Sequence, residues 1–100
     1  MRFDWDPLKE KVNMEKHGLS FSNASLVFTD RNSLSKFDDE HSGVEDRWVT
    51  LGMLPSGTIV VVVHAFRGKN IDPEEDIRII SARKATKNEI KQYHERRHEG

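Results

Sequence analysis

The sequence predicts an α+β protein in which a small, mostly antiparallel sheet packs against two N-terminal helices and one C-terminal helix. Residues 47–54 alternate with the two-residue period of a strand, and residues 58–66 are apolar on both faces, as in a central strand. Residues 55–57 supply only a tight turn, so these two strands pair antiparallel. A third strand at residues 77–84 leads into the last helix. Helices placed before and after a run of strands are typical of the α+β class.

The N-terminal segment predicts a strand followed by a helix. Residues 2–5 form the short strand, and Asp6 followed by Pro7 starts the helix, because an acidic N-cap before proline is a typical start. Gly18 ends this helix in the left-handed conformation. The apolar side chains that should form its thin buried face are Leu8, Val12 and Met14.

The next segment predicts a second, short helix and an edge strand. Ser20 can cap the helix, whose apolar residues have helical spacing. Residues 30–33 then predict a turn, and residues 34–37 predict an edge strand because the pattern alternates weakly and carries charge. Residues 38–46 form an acidic loop, and residues 67–76 form a polar one.

The last strand is the segment around which the site is predicted. Thr86 and Glu89 form a capping box, so the final helix should start at Lys87, with Ile90 and Tyr93 as its apolar anchors. The two residues that end the strand are cations: Arg83 and Lys84. A rigid strand end can hold such charges against a phosphate, although two solvated surface cations are the alternative interpretation.

Composition excludes several classes of protein. One hundred residues with a 35% hydrophobic share suffice for one modest core, so we expect a single domain over residues 1–100. The absence of cysteine excludes disulfides and thiolate metal sites. His94 and His98 have i, i+4 spacing but no third ligand nearby, so we expect no metal and no cofactor. No apolar run spans a bilayer and no secretory signal is visible, which predicts a cytoplasmic protein without membrane contact.

The net charge of −1 hides an uneven distribution. Residues 78–98 contain seven Lys and Arg residues against two Glu residues, while the rest of the chain is acidic. A basic C-terminal quarter indicates a polyanion or an acidic partner at one end of the protein, and a solvated helix face is the alternative.

Three further residues can take part in proton transfer, and each has a structural alternative. His17 precedes Gly18 at a helix end, where it can instead interact with the helix dipole. His64 lies in the central strand and is either a satisfied histidine near the core or a general acid or base. Tyr93 shares a helix face with Ile90, so packing competes with base stacking and proton donation.

Antiparallel pairing predicts two basic clusters at opposite ends of the sheet. Arg83 and Lys84 lie beside the turn at residues 55–57, with Lys87 close behind them. The cations towards the other end are Arg47, Arg67 and Arg78. A strand of six residues is about 20 Å long, so the clusters cannot share one phosphate, but they can contact successive parts of one RNA strand. Trp5 can stack on a base, and burial at a strand end is the alternative.

Three short segments occur in series along nearly the whole chain. They are FDWDP at residues 3–7, KHGLSF at residues 16–21 and RIISARKAT at residues 78–86, followed by Glu89 and Tyr93. This series resembles the BrnT family of toxins. The resemblance implies a type II toxin–antitoxin system, a RelE-like ribonuclease fold, and inhibition of translation by RNA cleavage. It also implies a cognate BrnA antitoxin with a DNA-binding region, so that DNA is contacted only through the complex, which represses its own operon.

The resemblance also carries over individual residues. Arg83 in the S-x-R segment is the strongest active-site candidate, Lys84 and Tyr93 match the commoner family pattern, and His17 matches the K-H-G segment. His64 and Arg67 fall where the family is more variable.

These observations lead to the hypothesis of a metal-independent endoribonuclease. The 2′-hydroxyl of the RNA attacks the adjacent phosphate, so catalysis needs positioning and charge stabilisation more than a protein nucleophile. Arg83 and Lys84 stabilise the phosphorane, and we expect them free of internal carboxylate pairs. Protons are moved by His17, His64 or Tyr93. The alternative is a non-catalytic module that binds only an antitoxin or a nucleic acid.

Overall fold

The computed structural model describes residues 2–40, 43, 46–66 and 76–99. Residues 97–99 are described as backbone only. The strands are β1 (Arg2–Asp4), β2 (Leu34–Phe37), β3 (Trp48–Met53), β4 (Ile59–Phe66) and β5 (Asp76–Lys84). The helices are α1 (Pro7–His17), α2 (Phe21–Ala24), which continues as a 3-10 helix (Ser25–Thr29), and α3 (Lys87–Glu99). The polar loop was predicted at residues 67–76; Asp76 instead begins β5, and residues 67–75 and part of the acidic loop lie outside the described residues.

The strands form one mixed sheet in the order β1-β5-β4-β3-β2. β2–β3, β3–β4 and β4–β5 pair antiparallel, whereas β1 and β5 pair parallel. The predicted fold class is therefore confirmed, with the parallel pair as a local addition. The register shifts between Val63 and His64, where β5 gains one residue relative to β4.

The helix signals act as predicted. Asp6 Oδ1 accepts from the N–H of Leu8 at 2.9 Å, and Ser20 Oγ accepts from the N–H of Asn23 at 3.0 Å. Gly18 ends α1 with a φ of 66°, a conformation that glycine adopts without the steric cost of a Cβ. These local bonds satisfy donors that helix ends leave without partners.

Each face of the sheet carries its own hydrophobic core. On the first face, α2 and the 3-10 helix cover β4 and β5 through Phe21, Ala24 and Val27. On the second face, α3 covers β3 and β4 through Tyr93, with Ile90 partly buried beside it. These two residues are the predicted anchors of α3.

Helix α1 departs from the prediction. Leu8, Val12 and Met14 are exposed, with exposed fractions of 73% and 60% for the first two, and the buried side chain of α1 is Asn13. Asn13 Nδ2 donates to the carbonyl of Ala82 at 2.8 Å, and Asn13 Oδ1 accepts from the N–H of Ala82 at 3.1 Å. The reason is that β1 pairs only with the first three residues of β5. The amide of Asn13 takes the place of a neighbouring strand beyond that point.

Candidate functional site

Arg83 is fixed to the start of α3 by Glu89. Its register partner Val61 belongs to the core beneath α3, so Arg83 lies on the second face. Arg83 Nη1 and Nη2 donate to Glu89 Oε1 and Oε2 at 2.8 and 2.9 Å. Glu89 Oε1 also accepts from the N–H of Thr86 at 2.8 Å, and Thr86 Oγ1 accepts from the N–H of Glu89 at 3.3 Å, which completes the predicted capping box. One carboxylate therefore holds both the helix start and the cation.

The ion pair changes the pKa of each partner in the expected direction. Hydrogen bonds from Arg83 lower the pKa of Glu89 to about 2, with a further contribution from the N–H of Thr86. Hydrogen bonding to Glu89 raises the pKa of Arg83. Both groups are charged under all ordinary conditions.

The expectation that Arg83 is free of an internal carboxylate is therefore wrong. Glu89 was assigned only to the capping box, although its side chain can reach back across the connection between β5 and α3. The guanidinium nevertheless keeps donors for a ligand. Glu89 binds the tip of the guanidinium, through one N–H of Nη1 and one of Nη2. Nε–H and the second N–H of Nη2 lie parallel along one side of the guanidinium and form a second fork of donors. The Arg83 side chain is 41% exposed, so this fork can reach an anion.

Lys84 does not reinforce Arg83 on the same face. It is exposed at the end of β5 and pairs in register with Val60, whereas Arg83 pairs with Val61. Successive residues of a strand point to opposite faces. The N–H of Ala85 donates to the carbonyl of Ile59 at 2.9 Å, so this end of β5 lies beside the β3–β4 turn, as predicted.

His17 lies in a groove between α1 and β5, which we call the α1–β5 groove. Its volume is about 360 Å³. Its lining includes Leu8, Lys9, Val12, Lys16 and His17 from α1, and Ile80 and Ser81 from β5. Ser81 and Arg83 are two residues apart on one face of β5, about 7 Å along the strand. His17 and Ser81 therefore line one groove, and Ser81 lies two residues before Arg83 on β5.

His64 lies on the opposite face of the sheet from Arg83. It is fully buried, its Nε2 is 2.6 Å from Thr50 Oγ1, and its ring lies between the rings of Phe28 and Phe66. Burial lowers its pKa to about 4. Its Nδ1 is buried without a hydrogen-bond partner in the described part of the chain. A phosphate bound at Arg83 cannot reach this ring through the sheet.

Tyr93 is buried and Trp5 is partly buried against the core. Tyr93 is 1% exposed, and its hydroxyl donates to Asp30 Oδ2 at 2.7 Å. The N–H of Met53 donates to the same oxygen at 2.8 Å. Trp5 packs edge-on against the ring of Phe21, with centroids 6.2 Å apart. Both side chains serve the packing of the fold in this structure.

The remaining predicted contacts are spread along the sheet. Arg78 pairs in register with Ala65 and lies about 17 Å along β5 from Arg83. The carbonyl of Arg47 accepts from the N–H of Asp38 at 2.9 Å, at the same end as Arg78. Lys87 is exposed at the first residue of α3, and Arg67 lies outside the described residues.

Two side chains that organise this region were missed from the sequence. Asn13 joins α1 to β5, and Glu89 orients Arg83. The spacing of Glu89 was visible in the sequence, but its bond to Arg83 depends on how the chain turns after β5. In the described residues, no group of three or more His, Asp or Glu side chains is arranged to hold a metal ion. No helix there is long and apolar enough to cross a membrane.

Comparisons with known proteins agree with this architecture. The family model described as "Ribonuclease toxin, BrnT, of type II toxin-antitoxin system" matches residues 5–89. The fold is similar to that of the 1.1 Å crystal structure of the Brucella abortus ribonuclease toxin BrnT, with a TM-score of 0.60 and 24% identity over 87% of this chain and 99% of that one. No functionally curated protein matches the chain. Since the family model covers most of its residues, the chain belongs to the BrnT family of ribonuclease toxins of type II toxin–antitoxin systems.

Proposed function

We propose that this toxin cleaves RNA internally and without a metal ion, and that Arg83 binds the scissile phosphate. The observation that carries the proposal is the geometry of Arg83. Glu89 fixes one end of the guanidinium, and the fork formed by Nε–H and Nη2–H stays available on a side chain that is 41% exposed. A planar fork matches two oxygens of a phosphate and is already oriented before the substrate binds.

The RNA supplies the nucleophile in this reaction. The 2′-hydroxyl oxygen forms a bond to phosphorus, the bond from phosphorus to the 5′-oxygen breaks, and a 2′,3′-cyclic phosphate remains. One proton leaves the 2′-hydroxyl and one is delivered to the departing 5′-oxygen. Arg83 stabilises the negative charge that accumulates on the phosphorane oxygens between these two events.

His17 is the proton-transfer residue that the geometry supports best. It is half-buried in the α1–β5 groove, which is also lined by Ser81, two residues before Arg83 on β5. His64 and Tyr93 are buried, so we assign them no step in the reaction. Lys84 points to the other face of β5, and we assign it to a neighbouring phosphate of the same RNA strand.

The proposal is tested with purified protein, a structured RNA and EDTA. We expect cleavage by the wild-type protein in EDTA, a loss of roughly 100-fold or more for Arg83→Ala, and incomplete rescue by Arg83→Lys, which keeps the charge but not the fork. Arg31→Ala removes an exposed arginine elsewhere and should leave cleavage unchanged. Full activity of a folded Arg83→Ala variant would refute the assignment, and activity abolished by EDTA would refute metal independence.

We infer that the protein partner is a BrnA-like antitoxin that carries the DNA-binding region of the complex. Type II systems pair the toxin with a protein antitoxin, and the family match supports such a partner. We also infer a cytoplasmic location, because the RNA substrate is there.

The inferred DNA-binding role of the antitoxin is tested by a gel-shift experiment on the operon's promoter DNA. The antitoxin alone and the complex should both shift the DNA, and the toxin alone should not. A shift by the toxin alone would contradict the inference.

A further inference from the structure

We propose that the antitoxin docks in the α1–β5 groove, and that it does so with an amphipathic segment rich in acidic residues. This inference rests on the antitoxin partner that the family implies, and not on the mechanism of RNA cleavage. The observation that supports this inference is an exposed apolar stripe on α1, formed by Leu8 and Val12, beside the cations Lys9 and Lys16 at the rim of the groove.

The stripe consists of Leu8 and Val12, with exposed fractions of 73% and 60%. They are four residues apart, so they lie one above the other on the same side of α1. Ile80 of β5 lines the groove with them. Asn13 attaches α1 to the sheet, so the stripe is left in contact with solvent, and adjacent exposed apolar residues that line one groove often mark an interaction site.

The rim of the groove is positively charged. Lys9 and Lys16 supply this charge, and no acidic residue lines the groove within the described part of the chain. An RNA phosphate could use the lysines but would gain nothing from Leu8 and Val12. An acidic amphipathic segment uses both features, because its apolar side chains fill the floor and its carboxylates face the lysines.

Docking there would also explain how the antitoxin inhibits the enzyme. His17 and Ser81 both line the groove, and Ser81 precedes Arg83 by two residues on the same face of β5. A segment bound along the groove covers His17 and narrows the approach to the fork of Arg83. Inhibition then needs no rearrangement of the sheet.

The test uses the toxin and the antitoxin encoded beside it in the same operon, each purified. The double variant Leu8→Gln with Val12→Thr removes the apolar floor without adding charge. We expect it to bind the antitoxin roughly 30-fold more weakly or worse, as loss of central interface contacts usually does. Cleavage of RNA by this variant in the absence of antitoxin should be unchanged, because neither residue belongs to the catalytic group.

A matched control is available outside the lining of the groove. Leu26 of the 3-10 helix is 39% exposed, and Leu26→Gln should bind the antitoxin like the wild type. Thermal unfolding of both variants verifies folding, and we expect only small changes in stability because the replaced side chains are exposed. If the double variant does not fold, Lys9→Gln alone should weaken the complex and flatten its salt dependence.

Four outcomes overturn the proposal. One is antitoxin binding by the double variant that equals the wild type. Another is equal weakening by Leu26→Gln. A third is loss of RNA cleavage by the double variant without antitoxin, which would assign the groove to RNA. The last is a wild-type toxin that is a dimer and a double variant that is a monomer, which would assign the groove to a second copy. Absence of cleavage by the wild type would refute the proposed reaction but leave the binding result intact.

Discussion

The guanidinium of Arg83 and the carboxylate of Glu89 are joined by two parallel hydrogen bonds of 2.8 and 2.9 Å. Glu89 closes the first turn of α3 with the same carboxylate. The pair is partly exposed, so its contribution to stability is small, and its main effect is to fix the orientation of the cation.

Replacing Glu89 should impair cleavage only through Arg83. We expect Glu89→Ala to lower the rate of RNA cleavage by roughly tenfold, because a mobile guanidinium must be ordered during the reaction. In an Arg83→Ala background the same change should have no further effect, so the two effects should be strongly non-additive. The measurement is single-turnover cleavage for the four members of the cycle.

Two controls separate this effect from helix capping and from net charge. Thr86→Ala breaks the cap and should cost about 1 kcal/mol of stability with cleavage unchanged. Glu95→Ala removes an exposed acid from the same helix and should change neither property. Additive effects of Glu89→Ala and Arg83→Ala would contradict the prediction.

Burial of His64 should make the protein less stable in mild acid. Its pKa is about 4 in the folded protein and about 6.5 in the unfolded chain, so the unfolded chain binds more protons between these values. The stabilisation is complete above pH 6.5 and is lost as pH falls through 4, with a total of roughly 3 kcal/mol. The measurement is urea unfolding from pH 7.5 to 4. The His64→Gln variant should show a shallower decline, and identical slopes would contradict the assignment.

Tyr93 should act as an anchor and not as a proton donor. Tyr93→Phe removes the hydrogen bond to Asp30 and should cost about 2 kcal/mol, as is usual for a bond to a charged acceptor. Cleavage measured well below the unfolding temperature should stay within about twofold of wild type. A large loss of cleavage with unchanged stability would instead assign Tyr93 to the chemistry.

Asn13 should be necessary for the attachment of α1. Asn13→Ala leaves the N–H and carbonyl of Ala82 and the carbonyl of Leu19 without the amide, and should cost roughly 3 kcal/mol. Asn23→Ala changes an exposed asparagine in α2 and should have an effect within about 0.5 kcal/mol. Equal melting temperatures for the two variants would show that the amide is dispensable.

Local signals in the sequence predicted most of the fold. The caps at Asp6, Ser20 and Thr86 and the turn at residues 55–57 depend on neighbours within four residues, and all were confirmed. The predicted buried face of α1 was wrong, because which face is buried depends on where β1 stops pairing with β5. Helical periodicity carries no information on that point, because it favours burial of the apolar side chains over that of Asn13.

The candidate site was predicted less completely than the fold. The location of Arg83 at a strand end followed from the capping box of the next helix. Its pairing with Glu89, and the separation of His64 from it by the sheet, depend on side-chain direction and on the register shift after Val63. A single sequence does not determine these features, because a shift of one residue moves a side chain to the other face.

The amide contact between Asn13 and Ala82 also occupies backbone groups at the edge of β5 that β1 leaves unpaired. An uncovered strand edge is a template on which another chain can add a strand, and such additions propagate into aggregates. Because α1 covers the edge of β5 beyond Arg78, unfolding of α1 would expose an unpaired strand edge. It would also weaken the attachment of α1 to the sheet. Substitutions that weaken this helix should therefore reduce the yield of dispersed protein before they reduce its secondary structure.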